Sequence, residues 1–191
     1  MREFVRAVLI FLVFSIMTGL AYPLGITGLA RLFFAQKAAG SLVAGAGGRV
    51  VGSELIGQKF ASPRYFHSRP SANDYDGASS GGTNVGPASA KYLKDVAERV
   101  KKARAEDSIA PDAAVPADLV LASASGLDPH ITLEAALVQA PRVAATRGFP
   151  PQTLKSLVES TAEGLYTGGQ PRVNVLLLNL AADRLDVGKK Y

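Results

Sequence analysis

The chain has no cysteine, and its 191 residues include only two histidines, His67 and His130. Without cysteine there is no disulfide, no thiolate metal site and no thiol nucleophile, and two histidines leave a His-rich metal site short of ligands. Charge of one sign is also scarce. The 21 basic and 16 acidic side chains leave a net +5. That excess is too small to require nucleic acid, and it suits a membrane surface or an acidic partner. No paired carboxylates stand out as an acid–base couple, and the sequence has no G-x-x-x-x-G-K-[ST] phosphate loop and no G-x-S-x-G nucleophile elbow.

Apolar length, by contrast, is present. Residues 7–30 run without a single charge, and as a helix they would span about 36 Å against a hydrocarbon core of about 30 Å. This predicts one transmembrane helix over 7–30, preceded by a short N-terminus (1–6). Pro23 inside it should kink the helix near Gly19. The competing reading is a cleaved signal peptide, whose apolar region runs only about 7–15 residues before an A-x-A site. The run here is longer, and Arg31 through Lys37 fit that pattern poorly. Arg2 and Arg6 precede the run and Arg31 and Lys37 follow it, so charge alone leaves orientation open. Long domains cross largely regardless of charge, so a cytoplasmic N-terminus with an extracytoplasmic domain is the default.

The remainder divides into a linker (31–48), Gly/Ala/Ser-rich over 38–48, and one α+β domain (49–191) with enough chain for its own core. Residues 49–60 read as a short hairpin or bulged strand. Residues 61–87 are rich in Pro, Gly, Ser, Asn and Asp, and so long an irregular stretch is usually functional or disordered. Tyr65, Phe66 and Tyr75 favour an ordered loop. Leu93, Val96, Ala97 and Val100 set a helical stripe for residues 88–105, whose cations are interleaved with acids as on a solvated face. Thr132 should cap a helix that buries Leu133, Ala136, Leu137 and Ala140, is kinked by Pro141 and ends near Gly148. A further helix over 152–163 buries Leu154, Leu157, Val158 and Thr161. The run 172–180 reads as a central strand.

Three stretches could carry chemistry. Residues 123–130 hold Ser123, Ser125, Asp128 and His130, which a hydrolase would use as nucleophile and base. The plainer reading is a turn in which Ser125 and Asp128 bond nearby amides. Residues 79–86 are a Gly-rich loop before a helix, a weak anion-binding signal without the phosphate-loop pattern. Residues 168–170 read as a cap and turn before the last strand. On the residues alone, a membrane-anchored accessory domain fits better than a stand-alone anchored serine hydrolase or a ligand-sensing domain on a stalk.

Several of these stretches also carry a resemblance. Gly52 through Gln58, Phe60, Tyr65 through Ala72, Ser80 through Asn84 and Gly86-Pro87 resemble the C subunit of the Kdp potassium-transporting ATPase. So do Val115 through Val120, Ser125 through Ile131, Gln139 with Arg142-Val143-Ala144, and Arg172 through Leu176 with Leu178-Asn179. The resemblance implies a non-catalytic subunit of a bacterial inner-membrane potassium pump. Its partners would be a channel-like A subunit, a P-type ATPase B subunit and a small F subunit. It also implies a catalytic chaperone that raises the ATP affinity of the B subunit, with Gln139 as the position proposed to contact ATP, and no cofactor of its own. The docking face toward the pore subunit is expected on the 65–87 loop and the 125–131 turn, through Tyr65, Phe66, Arg69, Tyr75, Asn84, Asp128 and His130.

Overall fold

The structure is a computed structural model that describes residues 1–45, 47–164 and 169–188, Val187 by its backbone only. The chain separates into two compact units, Met1–Val43 and Ala44–Tyr191. The first holds α1 (Arg2–Ile16), a π-helical turn (Met17–Ala21), α2 (Tyr22–Phe33) and α3 (Ala35–Ala38). Helical structure is continuous over Arg2–Phe33, long and apolar enough to cross a membrane, and none of its most apolar window is buried against protein. It extends past both ends of the charge-free run. The disturbance expected from Pro23 is the π turn: Tyr22 N–H bonds the Met17 carbonyl, one residue beyond α-helical spacing, just ahead of the residue that has no N–H to give. Thr18 Oγ1 donates to the Phe14 carbonyl at 2.7 Å beside it.

Two short strands follow, β1 (Leu42–Ala44) and β2 (Val50–Ser53). The linker expected over 31–48 is therefore partly structured, with α3 and β1 inside it. After a long irregular stretch come α4 (Ala90–Asp107), a 3₁₀ turn (Ala117–Leu119), β3 (His130–Thr132), α5 (Leu133–Arg147), α6 (Pro151–Ser160), β4 (Arg172–Asn174) and α7 (Val175–Gly188). This is a mixed helix-and-sheet domain, as expected. Strands β3 and β4 pair antiparallel, with Ile131 opposite Val173. On its other edge Arg172 exchanges both backbone bonds with Glu163.

Thr132 Oγ1 accepts from Ala135 N–H and starts α5, the cap the sequence predicts. Ser89, one residue inside the start expected for the preceding helix, accepts from Tyr92 N–H and starts α4. Gly148 closes α5 with φ +65°, a left-handed conformation that costs glycine little. α5 runs on through Pro141 for six more residues. The core gathers Phe66, Ile131, Val143, Leu154, Val158, Val173, Val175 and Leu178 around Ala135, Ala136, Ala140, Ala144 and Ala182.

Two expectations are corrected. Only residues 172–174 of the predicted central strand are extended; from Val175 the chain is helix α7. An apolar run of this length does not separate strand from buried helix by periodicity. Asn174 settles it, because its Oδ1 accepts from Leu177 N–H at 3.2 Å, as an N-cap does. The stripe on α4 is also rotated. Leu93 and Ala97 face outward, and the inward side carries Tyr92, Val96, Arg99, Val100 and Ala103. Arg99 and Asp107 lie on that side because each has a partner there, Arg99 Nη1 donating to the Val120 carbonyl and Asp107 accepting from Arg142. Gly168 of the expected 168–170 turn lies outside the described residues.

Candidate functional site

Residues 62–68 have no regular secondary structure, yet Phe66 is fully buried. A buried irregular backbone needs partners for each polar group, and here helix side chains supply them. Every carbonyl from Pro63 to His67 accepts from a side chain of α5 or α7. Arg142 Nη1 donates to Pro63 O at 2.8 Å and to Tyr65 O at 3.0 Å, and Thr146 Oγ1 also reaches Pro63 O. Arg147 Nε donates to Arg64 O at 2.7 Å. Asn179 brackets Phe66, accepting from its N–H at 2.8 Å and donating to its carbonyl at 2.9 Å. Gln139 brackets His67 in the same way, at 2.7 and 3.2 Å. The two amides act as the neighbouring strands that this strap lacks.

Charge fixes the brackets in turn. The Arg147 side chain is 0% exposed, bonds Asp186 at 2.7 Å and Asp183 at 2.9 Å, and lies 5.0 Å over the Tyr65 ring. Arg142 pairs with Asp107 at 2.7 Å with both nearly out of water, and its Nη2 bonds Gln139 Oε1 at 2.9 Å. Burial pushes the Asp107 carboxyl above its usual range against the pull of Arg142. Burial, helped by Arg142, holds the His67 imidazole below its ordinary value, against the Ser62 carbonyl, Glu106 and Asp107. His67 Nε2 lies 3.2 Å from that Ser62 carbonyl.

Beyond the strap, the 69–82 segment and the 123–131 turn interlock. Gly81 N–H and Ser80 Oγ both donate to Ser125 O, Ser71 Oγ donates to Gly126 O at 2.7 Å, and Ser123 N–H donates to Pro70 O. Gly126 has φ +68°, and a side chain there would strike Asn73 and come within 2.8 Å of Gly81 O. Tyr75 holds φ +62°, unusual for a bulky residue. It is fixed by Ser71 Oγ at its N–H and by its own hydroxyl donating to Arg69 O at 2.6 Å. Burial and nearby Asp74 raise that phenol above its usual range. Arg69 faces Asp118 at 3.4 Å and Asp128 at 3.3 Å, and Asp118 accepts from Thr132 N–H at 2.7 Å.

The structure thus joins Arg69, Tyr75, Asp128 and His130 on one interlocked surface. Asn84 is exposed on the adjoining loop with φ +49°. It separates them from Phe66, which has no exposed surface, and leaves Tyr65 half-buried beneath Arg147. Gln139 is 0% exposed with both side-chain polar atoms engaged in the strap. It lies against a cleft of about 300 Å³ lined by Lys59, Phe60, His67, Tyr75, Arg99 and Lys102 among others. Ser125 Oγ accepts from Leu127 N–H, as a turn residue does. Ser123 is buried. The His130 ring faces Asp128 and Glu163, each at 3.8 Å, so the hydrolase arrangement is not assembled among these contacts. Among the described residues no group of three or more acidic or histidine side chains could hold a metal. Arg147, Asn179 and Arg142 escaped sequence reasoning as positioning residues. The one available signal was a polar side chain at a helical core position, such as Gln139 between Ala136 and Ala140.

An apolar N-terminal helix long enough to cross a membrane, followed by an α+β domain whose polar residues brace loops, fits a single-pass membrane-anchored domain. The comparisons narrow that class: the family model described as "K+-transporting ATPase, c chain" matches residues 4–184, and the chain belongs to this KdpC family. A Geobacter sulfurreducens protein named potassium-transporting ATPase KdpC subunit is 50% identical over 190 residues, covering 97% of this chain and 99% of the relative. Proteins of the same name from Myxococcus xanthus and Caldanaerobacter subterraneus are 51% and 45% identical, covering 95% and 94% of this chain and 87% and 94% of theirs.

Proposed function

We propose that this chain is the non-catalytic subunit that assembles and stabilises a bacterial potassium pump. In this reading it joins a channel-like A subunit to an ATP-hydrolysing B subunit, with a small F subunit completing the complex. The chain divides into residues 1–6 in the cytoplasm, a span over 7–30, a linker over 31–48 and an extracytoplasmic domain over 49–191. The span lies in the inner membrane. Family membership over nearly the whole chain supports the assembly.

One observation carries the docking role: the interlocked 69–82 and 123–131 segments form a pre-shaped polar and aromatic surface. Rigid loops that lose little entropy on binding make good contact surfaces. Arg69, Tyr75, Asn84, Asp128 and His130 form the face toward the A subunit. Phe66, fully buried, and Tyr65, half-buried beside Arg147, belong to the strap rather than to this face. ATP chemistry resides in the B subunit, and the chaperone effect on its ATP affinity passes through contacts between subunits. The engagement of both Gln139 polar atoms inside the domain supports that assignment. Asp128→Lys and Asn84→Lys test the docking face. The expected result is a complex that loses the A subunit on purification, from variants that still unfold cooperatively, Asn84→Lys at the wild-type temperature and Asp128→Lys, which gives up its ion pair with Arg69, somewhat below it. Intact assembly and potassium uptake in both would overturn the docking face.

A further inference from the structure

Beyond residue 34, seven large apolar side chains are exposed among the described residues, and five of them are Leu42, Val50, Val51, Leu55 and Ile56. The other two, Val85 and Leu93, lie singly elsewhere. Isolated exposed apolar residues are ordinary, whereas several together mark an interaction site. Val50 and Leu55 are 61% and 62% exposed. Val50 and Val51 are consecutive strand residues, so their side chains leave opposite faces of β2, and both are open. Only the second half of the strand is half-buried, with Gly52 close against Leu176; at Val50 and Val51 both faces stay open.

We propose that residues 50–56 are a lipid-contacting foot, held in the boundary between headgroups and acyl chains of the bilayer that the N-terminal helix crosses. The proposal rests on reading that helix as a span. Chain length argues for lipid as the occupant. Only eight residues separate Phe33 from Leu42; fully extended they reach under about 30 Å, and less where four of them form α3. The Gly45 N–H bond to Arg49 O folds the chain back at once, so Val50 begins beside the tether's end. Arg49, exposed at the start of the segment, supplies a cation for anionic headgroups. A second copy of the chain fits less well. The four side chains of residues 50, 51, 55 and 56 expose on the order of 300 Å², well short of the roughly 800 Å² per partner in a stable dimer.

The chain contains no tryptophan, so a single introduced indole reports its own surroundings. Full-length L55W, L20W and L93W would be reconstituted separately into phosphatidylcholine–phosphatidylglycerol vesicles, with and without brominated acyl chains. Leu20 lies in the span and Leu93 on the outer face of α4. The expected result is strong quenching of L20W, loss of about half the L55W emission as for an interfacial side chain, and none for L93W. V50W repeats the reading if L55W does not fold. L55W as unquenched as L93W, with L20W quenched, overturns the foot and leaves the span intact. An unquenched L20W overturns the span itself and the foot with it. L55W quenched in the free chain yet shielded in the purified complex assigns the surface to a protein partner and overturns a lipid contact there.

Discussion

Two regions of the same domain, the irregular strap and the segment that begins in β2, invert the usual placement of polar and apolar residues. In the strap at 62–68, helix-borne Gln139, Arg142, Arg147 and Asn179 are buried or nearly so, and each bonds backbone that has no sheet to join. At 50–56, Val50, Val51 and Leu55 stand in the open. Irregular chain enters a core when side chains replace the missing ladder. The 50–56 segment has a ladder in β2 and backbone partners in Gln58 and Asn174, yet its apolar side chains stay outside and need cover from something other than the domain.

The sharpest way to break the strap is Arg147→Met. It removes the Arg64 carbonyl's donor and leaves Asp183 and Asp186 without this guanidinium. Loss of one partner of a buried pair costs about 3–5 kcal/mol. Both carboxylates keep some contact with water, so the lower end applies. Thermal unfolding of the full chain in detergent should fall by roughly 6–12 °C, at about 2–4 °C per kcal/mol for a domain of this size.

Gln139→Leu and Asn179→Leu should each cost about 2–3 kcal/mol, because each orphans a buried N–H and a carbonyl of the strap. They bracket adjacent residues, so the double variant should depart from additivity by about 1 kcal/mol, read as a double-mutant cycle in urea. Full additivity would mean that the two brackets act independently.

A smaller effect is set by pH. The His67 ring is neutral in the fold below its ordinary pKa of 6.5, whereas the unfolded chain takes up a proton there. The stability present above pH 6.5 is therefore lost as pH falls from 6.5 toward the lowered folded value. Asp107 acts in the opposite sense: its raised folded pKa contributes stability below 3.8 that is lost as pH rises through the folded value. His67→Gln, with an amide that can still reach the Ser62 carbonyl, should flatten the loss just below pH 6.5 in a pH series of unfolding midpoints. Smallest of all, Leu55→Ser should change domain stability by no more than about 0.5 kcal/mol. A larger loss would place Leu55 in the domain's own packing and erase the contrast with the strap.

Much of the domain was legible in sequence because local chemistry decided it. The apolar run, the Thr132 cap and the Gly148 stop each act within a turn or two of chain. The α7 error came from a run whose apolar residues fit either state, settled by one Asn cap. The α4 stripe was misplaced because Arg99 and Asp107 turn inward to partners 21 and 35 residues away in sequence. The strap was illegible for the same reason: its bonds join residues 72 to 113 apart. The density of turn residues and aromatics did mark the loop, and the structure brings Arg69, Tyr75, Asp128 and His130 together there. Sequence could not show that Phe66 points into the core.

The most direct test of the account is a mild-detergent pull-down of the tagged full chain from cells grown at limiting potassium, with mass spectrometry of what accompanies it. The account predicts a large channel-like protein and a P-type ATPase in stoichiometric amounts. Recovery of the chain alone would contradict it.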